Sequence, residues 1–226
     1  MTAKTLPAGQ IGRSVPRFEG RAKVTGRAEY IHNLRLPGML HGKLFRSPVA
    51  HGRIRSVDVT AAKAFPGVFG VYTSADIRTV IPDPYYGPAF HDQPILAIDK
   101  VRHIGEPIAA VLAEDPHVAE EAARLIVAEF DEMPVVMDEV EAMTSPAIVH
   151  DVLRPAGTFP DLKHLEGRKG TNLALDFQLR RGDAKKAFAD APHVFEHIFR
   201  TQQVMHTPLE PMVSAAEAGD ASLIIH

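Results

Sequence analysis

The sequence of 226 residues contains no cysteine, and this absence limits what the chain can do by itself. It excludes disulfide bonds, thiolate zinc sites, a cysteine nucleophile and cysteine-ligated iron–sulfur clusters within the chain. Long apolar runs are missing as well, so the sequence predicts no membrane span. Residues 1–10 also lack the basic-then-apolar pattern of a secretory signal, and the expected compartment is the cytoplasm.

An excess of one charge is also missing. Lysine and arginine total 25 against 28 aspartates and glutamates, which gives a net charge of -3. This near balance provides no electrostatic footprint for nucleic acid or for a membrane surface. What the sequence does have is 45% apolar residues, 18 prolines and 16 glycines. These values indicate a hydrophobic core and short elements joined by many tight turns.

Strand and helix patterns alternate through the first part of the chain. Strands are predicted at residues 40–45, 51–59, 68–73, 108–112 and 126–130. Thr60 and Ser74 are candidate caps of short helices or turns. Asp115 followed by Pro116 predicts a longer helix, with aspartate at the N-cap and proline at the first helical position. These elements predict an α+β unit that closes near residue 140.

The sequence pattern changes in the later part of the chain, and this change suggests a second unit. Residues 141–172 show no hydrophobic period and are expected to form an extended connecting segment. A helix capped by Asp183 is predicted beyond it, with strands at residues 172–180, 193–201, 212–216 and 222–225. The predicted organisation is therefore an arm at 1–18, an α/β domain at 19–140, the connecting segment at 141–172 and an incomplete domain at 173–226.

His206 and Glu210 form the best candidate constellation. Pro208 lies between them and excludes an ordinary helix there. A neutral imidazole and a carboxylate on such a segment could orient a substrate or support a neighbouring site. Hydrogen bonding of both side chains to backbone at an irregular strand entry is the explanation that the spacing alone favours. The sequence leaves these two interpretations open.

Other kinds of site lack their signatures. The twelve histidines include His193 and His197, but no H-E-x-x-H motif or compact trio of ligands occurs, so no metal site is predicted. No G-x-S-x-G elbow supplies a hydrolase nucleophile. Residues 12–26 form a basic stretch that contains several glycines. Its glycines lack the G-x-G-x-x-G and G-x-x-x-x-G-K-[ST] spacings of phosphate-binding loops, so it is expected to be a solvated surface loop.

Several short motifs, in consistent order, resemble the molybdopterin-binding large subunit of the xanthine dehydrogenase/aldehyde oxidase family. The resemblance extends over nearly the whole chain from Ile11 onward. The first group resembles the α/β hammerhead domain of that family: Gly12-Arg-Ser-Val-Pro-Arg17, Lys23-Val-Thr-Gly-Arg-Ala28, Leu36-Pro-Gly-Met-Leu40, Arg46-Ser-Pro48, His51-Gly-Arg-Ile54, Phe65-Pro-Gly-Val68, Val101-Arg-His-Ile-Gly-Glu-Pro-Ile-Ala-Ala-Val111 and Ala119 to Pro134.

A second group resembles the start of the molybdopterin-binding domain: Arg181-Gly-Asp-Ala184, Ala187-Phe188 and His206-Thr-Pro-Leu-Glu-Pro211. In the family, an S-T-Q-like segment, a G-G-x-F-G-x-K-like segment and a distant glutamate base contact the cofactor or perform the chemistry. No position of this chain matches them. The resemblance therefore assigns no catalytic, cofactor-binding or metal residue, and leaves His206 and Glu210 as residues that support the site or line its channel.

The resemblance implies an N-terminal portion or split subunit of a molybdenum hydroxylase. Assembled with the rest of the large subunit, such an enzyme would oxidatively hydroxylate an aldehyde or N-heterocycle with molybdenum–molybdopterin. Its iron–sulfur clusters and FAD would reside in partner subunits, and this chain alone would not be catalytic. The alternative is a non-catalytic stand-alone hammerhead domain, acting as a binding or assembly module or arising from a truncated gene.

Overall fold

The computed structural model of the protein describes residues 12–151, 153, 168–176, 178–208 and 210–226. The chain divides into two units, Met1–Pro37 with Phe195–His226, and Gly38–Val194. The predicted arm therefore lies mostly outside the described residues, as does much of the predicted connecting segment. None of the helices in the described part is long and apolar enough to cross a membrane.

Short helices and strands alternate along the described chain, and an α+β fold is confirmed. In chain order the elements are α1 (Gly20–Val24), a 3-10 turn (Ile31–Asn33), β1 (His41–Arg46), β2 (Gly52–Asp58), α2 (Thr60–Lys63), β3 (Val68–Thr73), α3 (Ser74–Val80), β4 (Tyr85–Tyr86), β5 (Gln93–Pro94), β6 (Lys100–Val101), β7 (Pro107–Ala113), α4 (Pro116–Arg124), β8 (Val127–Glu132), α5 (Glu139–Ala142), α6 (Ala184–Asp190), β9 (Ala216–Ala218) and β10 (Leu223–Ile225).

The first sheet of the Gly38–Val194 unit has β7 at its centre. β7 pairs antiparallel with β1 on one side and β3 on the other, so Ala110 lies opposite Leu44 and Tyr72. A central strand with a nearly continuous apolar sequence suits burial on both faces. The buried core of this sheet joins it to α2 and α4 through Ala62, Val71, Ala109, Val111, Ala122, Ala123 and Ile126.

The second sheet of this unit has β2 between β6 and β8, again with antiparallel pairing. Its core contains Ala97, Val101 and Ile108, with Ile54 and Phe130 packed against them. Ile108 belongs to β7 of the first sheet, so the two sheets of this unit share one buried region. The sequence around β6 is consequently held in an apolar environment.

Local capping chemistry starts the helices, although two caps differ from the prediction. The Asp115 side chain accepts the backbone N–H of His117 at 2.8 Å, which confirms it as the cap of α4. The Asp183 side chain likewise caps α6. Thr73, not Ser74, caps α3 in a reciprocal capping box with Asp76, and α2 starts with Thr60 inside the helix. Both predicted caps were wrong by one residue.

The unit made of residues 12–37 and 195–226 contains α1, the 3-10 turn and the antiparallel pair β9–β10. The strands predicted at 172–180 and 193–201 are absent from the described residues. Both stretches do alternate, but a strand forms only where a second strand supplies hydrogen-bonding partners for its backbone N–H and C=O groups.

Candidate functional site

His206 and Glu210 are both exposed in the structure. Neither side chain has a hydrogen-bond or ion-pair partner within the part of the chain that the structure describes. Thr207 and Pro208 belong to no helix or strand, as the proline predicted, and Thr207 has φ of 43°. That left-handed backbone conformation is uncommon for a β-branched residue. Leu209, the remaining residue of the motif, lies outside the described residues.

Glu210 lines a cavity of about 590 Å³ within the same unit. Pro211 and five residues far away in sequence form its other walls: Arg17, Lys23, Tyr30, His32 and Asn33. The structure thus places Glu210 at the same cavity as Arg17 and Lys23 of the basic stretch at residues 12–26. No spacing in the sequence indicated this. His206 is not among the cavity residues, so the predicted pair is not brought together there.

The two basic side chains of this cavity, Arg17 and Lys23, are both paired with the carboxylate of Glu19. Glu19 accepts from Lys23 Nζ at 3.0 Å and lies 3.3 Å from Arg17. The hydrogen bond and charge of Lys23, with the charge of Arg17, hold the pKa of Glu19 below its usual range. Most of this stretch is exposed, as expected for a solvated surface, but Gly20–Val24 form the short helix α1 in place of the predicted loop.

A second polar cluster lies in the Gly38–Val194 unit and is largely buried. Lys100 Nζ contacts Asp151 Oδ2 at 2.9 Å and donates to the Ile148 carbonyl at 3.1 Å. Arg102 contacts Glu106 through both its backbone N–H and its guanidinium, the latter at 3.3 Å. The Arg102 and Glu106 side chains are only 9% and 5% exposed. Buried charges of this kind are retained in pairs because each would otherwise lose its hydration uncompensated.

A cavity of about 410 Å³ adjoins this cluster. Asp92, Asp99, Arg102, His150 and Asp151 line it, together with Tyr85 and His91. Burial lowers the pKa of His150, and the nearby positive charge of Arg102 acts in the same direction. Lys100 lowers the pKa of Asp151 by hydrogen bonding to it. His150 is consequently biased toward the neutral form and Asp151 toward the anion, which gives the cavity mixed polarity.

The contacts of Lys100 with Asp151 and with the Ile148 carbonyl join the region around Asp151 to the rest of its unit, and one amide side chain holds the region itself together. Asn172 Oδ1 accepts the Val149 N–H at 2.9 Å, and its Nδ2 donates to the carbonyls of Ala142 and Ala147 at 3.1 and 2.8 Å. All three partners belong to the predicted connecting segment 141–172, so Asn172 ties described parts of that segment to each other. Sequence reasoning missed this role, because a single asparagine in a segment without period carries no distinctive signal.

Metal-binding chemistry finds no support in the described part of the molecule. Among those residues, no group of three histidine, cysteine, aspartate or glutamate side chains is close enough to hold an ion. The buried Lys100–Arg102–Glu106 cluster was also missed from the sequence, where Arg102 and Glu106 belong to a resemblance motif without an assigned role and Lys100 directly precedes it. The available signal was the charge of three residues flanking the apolar Val101 and Ile108.

Comparison with known families gives two matches in sequence order. Residues 25–134 match the family described as aldehyde oxidase and xanthine dehydrogenase, a/b hammerhead domain. Residues 165–226 match the molybdopterin cofactor-binding domain. The second match makes molybdopterin the cofactor associated with this part of the chain, and the first assigns a fold to the Gly38–Val194 unit through most of its strands.

Individual relatives agree with the two family matches. The chain is 36% identical over 210 residues to the 6-hydroxypseudooxynicotine dehydrogenase complex subunit gamma of Paenarthrobacter nicotinovorans, covering 89% of this chain and 24% of that protein. It is 33% identical over 206 residues to the carbon monoxide dehydrogenase large chain of Afipia carboxidovorans, covering 88% of this chain and 24% of that protein. The chain spans about a quarter of the length of these curated relatives.

A solved structure shows the same relationship. Quinoline 2-oxidoreductase from Pseudomonas putida 86 superposes with a TM-score of 0.55 at 39% identity, over 62% of this chain and 18% of that one. The motifs, the two family matches in order and the shared fold all lead to the same assignment. The chain belongs to the xanthine dehydrogenase/aldehyde oxidase family, as an N-terminal part of the molybdopterin-binding large subunit of a molybdenum hydroxylase.

Proposed function

We propose that the chain acts as part of a molybdenum hydroxylase that oxidatively hydroxylates an aldehyde or an N-heterocycle. In that reaction an oxygen atom from water is added to an electrophilic carbon, and two electrons leave the substrate. Iron–sulfur and FAD subunits would carry those electrons onward, and the assembled enzyme would reside in the cytoplasm. The observation that carries the proposal is the ordered pair of matches, hammerhead domain at 25–134 and cofactor-binding domain at 165–226.

The chain's own part in the activity would be to build a scaffold beside the cofactor. Molybdenum–molybdopterin supplies the redox chemistry when bound. None of the described residues from 178 to 226 is buried, and they contribute no enclosed set of donor atoms. A site held by this stretch alone does not fit the cofactor, so the enclosing groups must come from further polypeptide of the large subunit.

Within that scaffold, the Gly38–Val194 unit provides the rigid part. Its two sheets have a buried core of their own, centred on Val101, Ile108 and Val111, each at most 1% exposed. The unit containing Glu210 offers mainly open surface, including Ile225 at 70% exposure and Met212 at 98%. Exposed apolar groups at such density are typical of surfaces that another polypeptide covers. We place His206 and Glu210 on this surface, in a supporting or channel-lining role.

Purification of the chain from its native host tests the proposal. We expect a large-subunit polypeptide and stoichiometric molybdenum to co-purify with it, measured by mass spectrometry and elemental analysis. Ile225→Asp should weaken that association because it places a charge on the exposed apolar surface of β10. Val80→Asp on α3 is the matched control, since Val80 is 81% exposed in the other unit. Recovery of the wild-type chain without molybdenum or a large partner would overturn the proposal.

A stand-alone hammerhead module remains the second candidate. The observation favouring it is that the Gly38–Val194 unit contains both buried clusters of apolar side chains seen in the described residues. A module of this kind would purify as a single folded chain without molybdenum, and deletion of residues 195–226 would leave its thermal unfolding unchanged. For the enzyme component, the same deletion would abolish co-purification of molybdenum.

A further inference from the structure

Residues 143–151, which we call the strap, follow α5 and belong to no helix or strand. Asn172 holds the strap in one conformation, because its side chain accepts from the Val149 N–H at 2.9 Å and donates to the Ala147 carbonyl at 2.8 Å. These bonds fix the shape of the strap, but they do not join it to either sheet of its unit.

Lys100 of β6 joins the strap to the sheet. Its Nζ lies 2.9 Å from Asp151 Oδ2 and donates to the Ile148 carbonyl at 3.1 Å. Within the described residues, both partners of this ammonium group therefore belong to the strap. The Lys100 side chain is only 4% exposed, whereas that of Asp151 is 65% exposed. A buried ammonium needs such partners to offset its lost hydration, so Lys100 favours the position in which the strap lies against β6.

His150 lies between the two Lys100 contacts along the chain, and it lines the cavity of about 410 Å³. Asp151 lines this cavity too, and the other walls come from residues 85–102: Tyr85, His91, Asp92, Asp99 and Arg102. The strap thus forms one side of the cavity. Departure of the strap from β6 would open the cavity and make its polar lining accessible.

Charged and titratable side chains surround His150 from every segment that shares a cavity with it. Residues 85–92 supply Tyr85, Tyr86, His91 and Asp92, and residues 99–106 supply Asp99, Lys100, Arg102, His103 and Glu106. The strap and the stretch beyond it supply Asp151, Arg168 and Lys169. Three of the four carboxylates are already paired, either with Arg102 or with Lys100. A proton on His150 would therefore enter a half-buried position where little negative charge is left uncompensated.

Burial lowers the pKa of His150, and the charge of Arg102 acts in the same direction; Asp92 and Glu106 oppose the shift without reversing it. With the strap closed, the imidazole thus binds a proton less readily than a solvated histidine, whose pKa is about 6.5. The closed position is therefore fully stabilised above about pH 6.5. It loses stability as the pH falls from there through the lower pKa that His150 has in the closed strap. Asp151 titrates at more acidic pH, because the hydrogen bond from Lys100 lowers its pKa.

We propose that the strap is a releasable cover of the cavity of about 410 Å³, held closed by Lys100 and released in mildly acidic solution when His150 takes up a proton. The inference does not depend on the proposed enzyme activity, because every group in it belongs to the Gly38–Val194 unit.

The Asp151→Ala variant of the full chain tests the Lys100 contact, with the pKa of His150 measured by NMR titration of its imidazole. The substitution removes a negative charge near His150, which by direct electrostatics lowers the pKa of a histidine. It also removes the carboxylate that Lys100 holds, and release of the strap raises the same pKa toward about 6.5. The two effects have opposite signs, and we expect the rise. An unchanged or lower pKa of His150 would overturn the proposal.

Asp92→Ala is the matched control for this titration. The charge of Asp92 raises the pKa of His150, and Asp92 lies outside the strap. Its removal should therefore lower the pKa of His150. A rise in both variants would contradict release of the strap as the cause.

Acid release is measured on the wild-type chain by NMR relaxation dispersion of the amide signals of residues 147–151 at pH 8 and pH 5. The ratio of released to closed strap should rise by up to about thirtyfold, the limit reached if only the released form binds the proton. His150→Phe should abolish the rise. His91→Phe should retain it, since His91 is also half-buried and lines the same cavity but lies outside the strap.

Absence of a released form at pH 5, or an equal rise in His150→Phe, would overturn the proposal. If His150→Phe does not fold, the Asp151→Ala titration still decides the question.

Discussion

Removal of the Glu106 carboxylate is the sharpest test of what stabilises the hammerhead unit. Glu106 is 4% exposed and is the residue immediately before β7. Its oxygens accept from the backbone N–H and the guanidinium of Arg102. In Glu106→Ala the Arg102 side chain stays buried, and its remaining carboxylate contact is Asp99 at 3.5 Å, whose own side chain is 51% exposed.

The size of the effect follows from that geometry. Deleting one partner of a buried ion pair costs about 3–5 kcal/mol, because the other charge remains buried without compensation. Glu106→Gln keeps an acceptor oxygen for the Arg102 backbone N–H, but it loses the charge and replaces the second oxygen with an NH2 group that cannot accept from the guanidinium. We expect it to cost about 1.5–3 kcal/mol, the range for hydrogen bonds that involve a charged group. We therefore expect the stability to decrease from the wild type to Glu106→Gln and further to Glu106→Ala.

Urea unfolding followed by circular dichroism measures these differences. With a slope of about 2 kcal/mol per M, Glu106→Ala should lower the midpoint by about 1.5–2.5 M. Asp131→Ala is the control, since its 2.8 Å ion pair with Arg55 is on the surface, with the Arg55 and Asp131 side chains 61% and 58% exposed. Its midpoint should not change measurably. A midpoint shift for Glu106→Ala as small as that of Asp131→Ala would refute the reasoning.

Three further variants test the helix starts and the core by the same unfolding assay. Asp115→Ala removes the cap of α4 and should cost about 1 kcal/mol; no change would contradict the cap. Ile108→Ala, at 1% exposure, should cost about 2–5 kcal/mol, whereas Ile104→Ala, at 69%, should cost little. The backbone N–H and hydroxyl of Thr73 lower the pKa of Asp76. The stabilisation that the Asp76 carboxylate contributes is therefore fully present above about pH 4, the ordinary pKa of an aspartate. It is lost as the pH falls through the lower pKa that Asp76 has in the folded protein. Asp76→Asn should lack this acid dependence, and an unchanged pH profile would refute the assignment.

Local chemistry explains which elements were predictable from the sequence. The strands now seen as β1, β2, β3, β7 and β8 were all predicted with bounds that overlap the observed ones. The cap at Asp115 was predicted because aspartate followed by proline acts on backbone groups within one helical turn. The family motifs were equally readable, since each consists of neighbouring residues. The predicted domain bounds and the supporting role of His206 and Glu210 stay predictions.

Strand patterns failed where no partner was available. Residues 193–201 alternate well, yet Phe195 and Phe199 are 80% and 88% exposed and no strand forms there. A period of two specifies which side chains share a face, but hydrogen-bonding partners for the backbone come from elsewhere in the fold. The sequence could not show whether such a partner would be present.

The sequence by itself determined the family, the α+β class, the absence of cysteine chemistry and the starts of α4 and α6, because these depend on residue identity and near neighbours. Only the tertiary structure decided that β7 lies between β1 and β3, that Glu210 shares a cavity with Arg17 and Lys23, and that Arg102 and Glu106 are paired inside the fold. The physical reason is that burial and pairing join residues distant in sequence. No local pattern records which distant residues will exclude water from a given side chain.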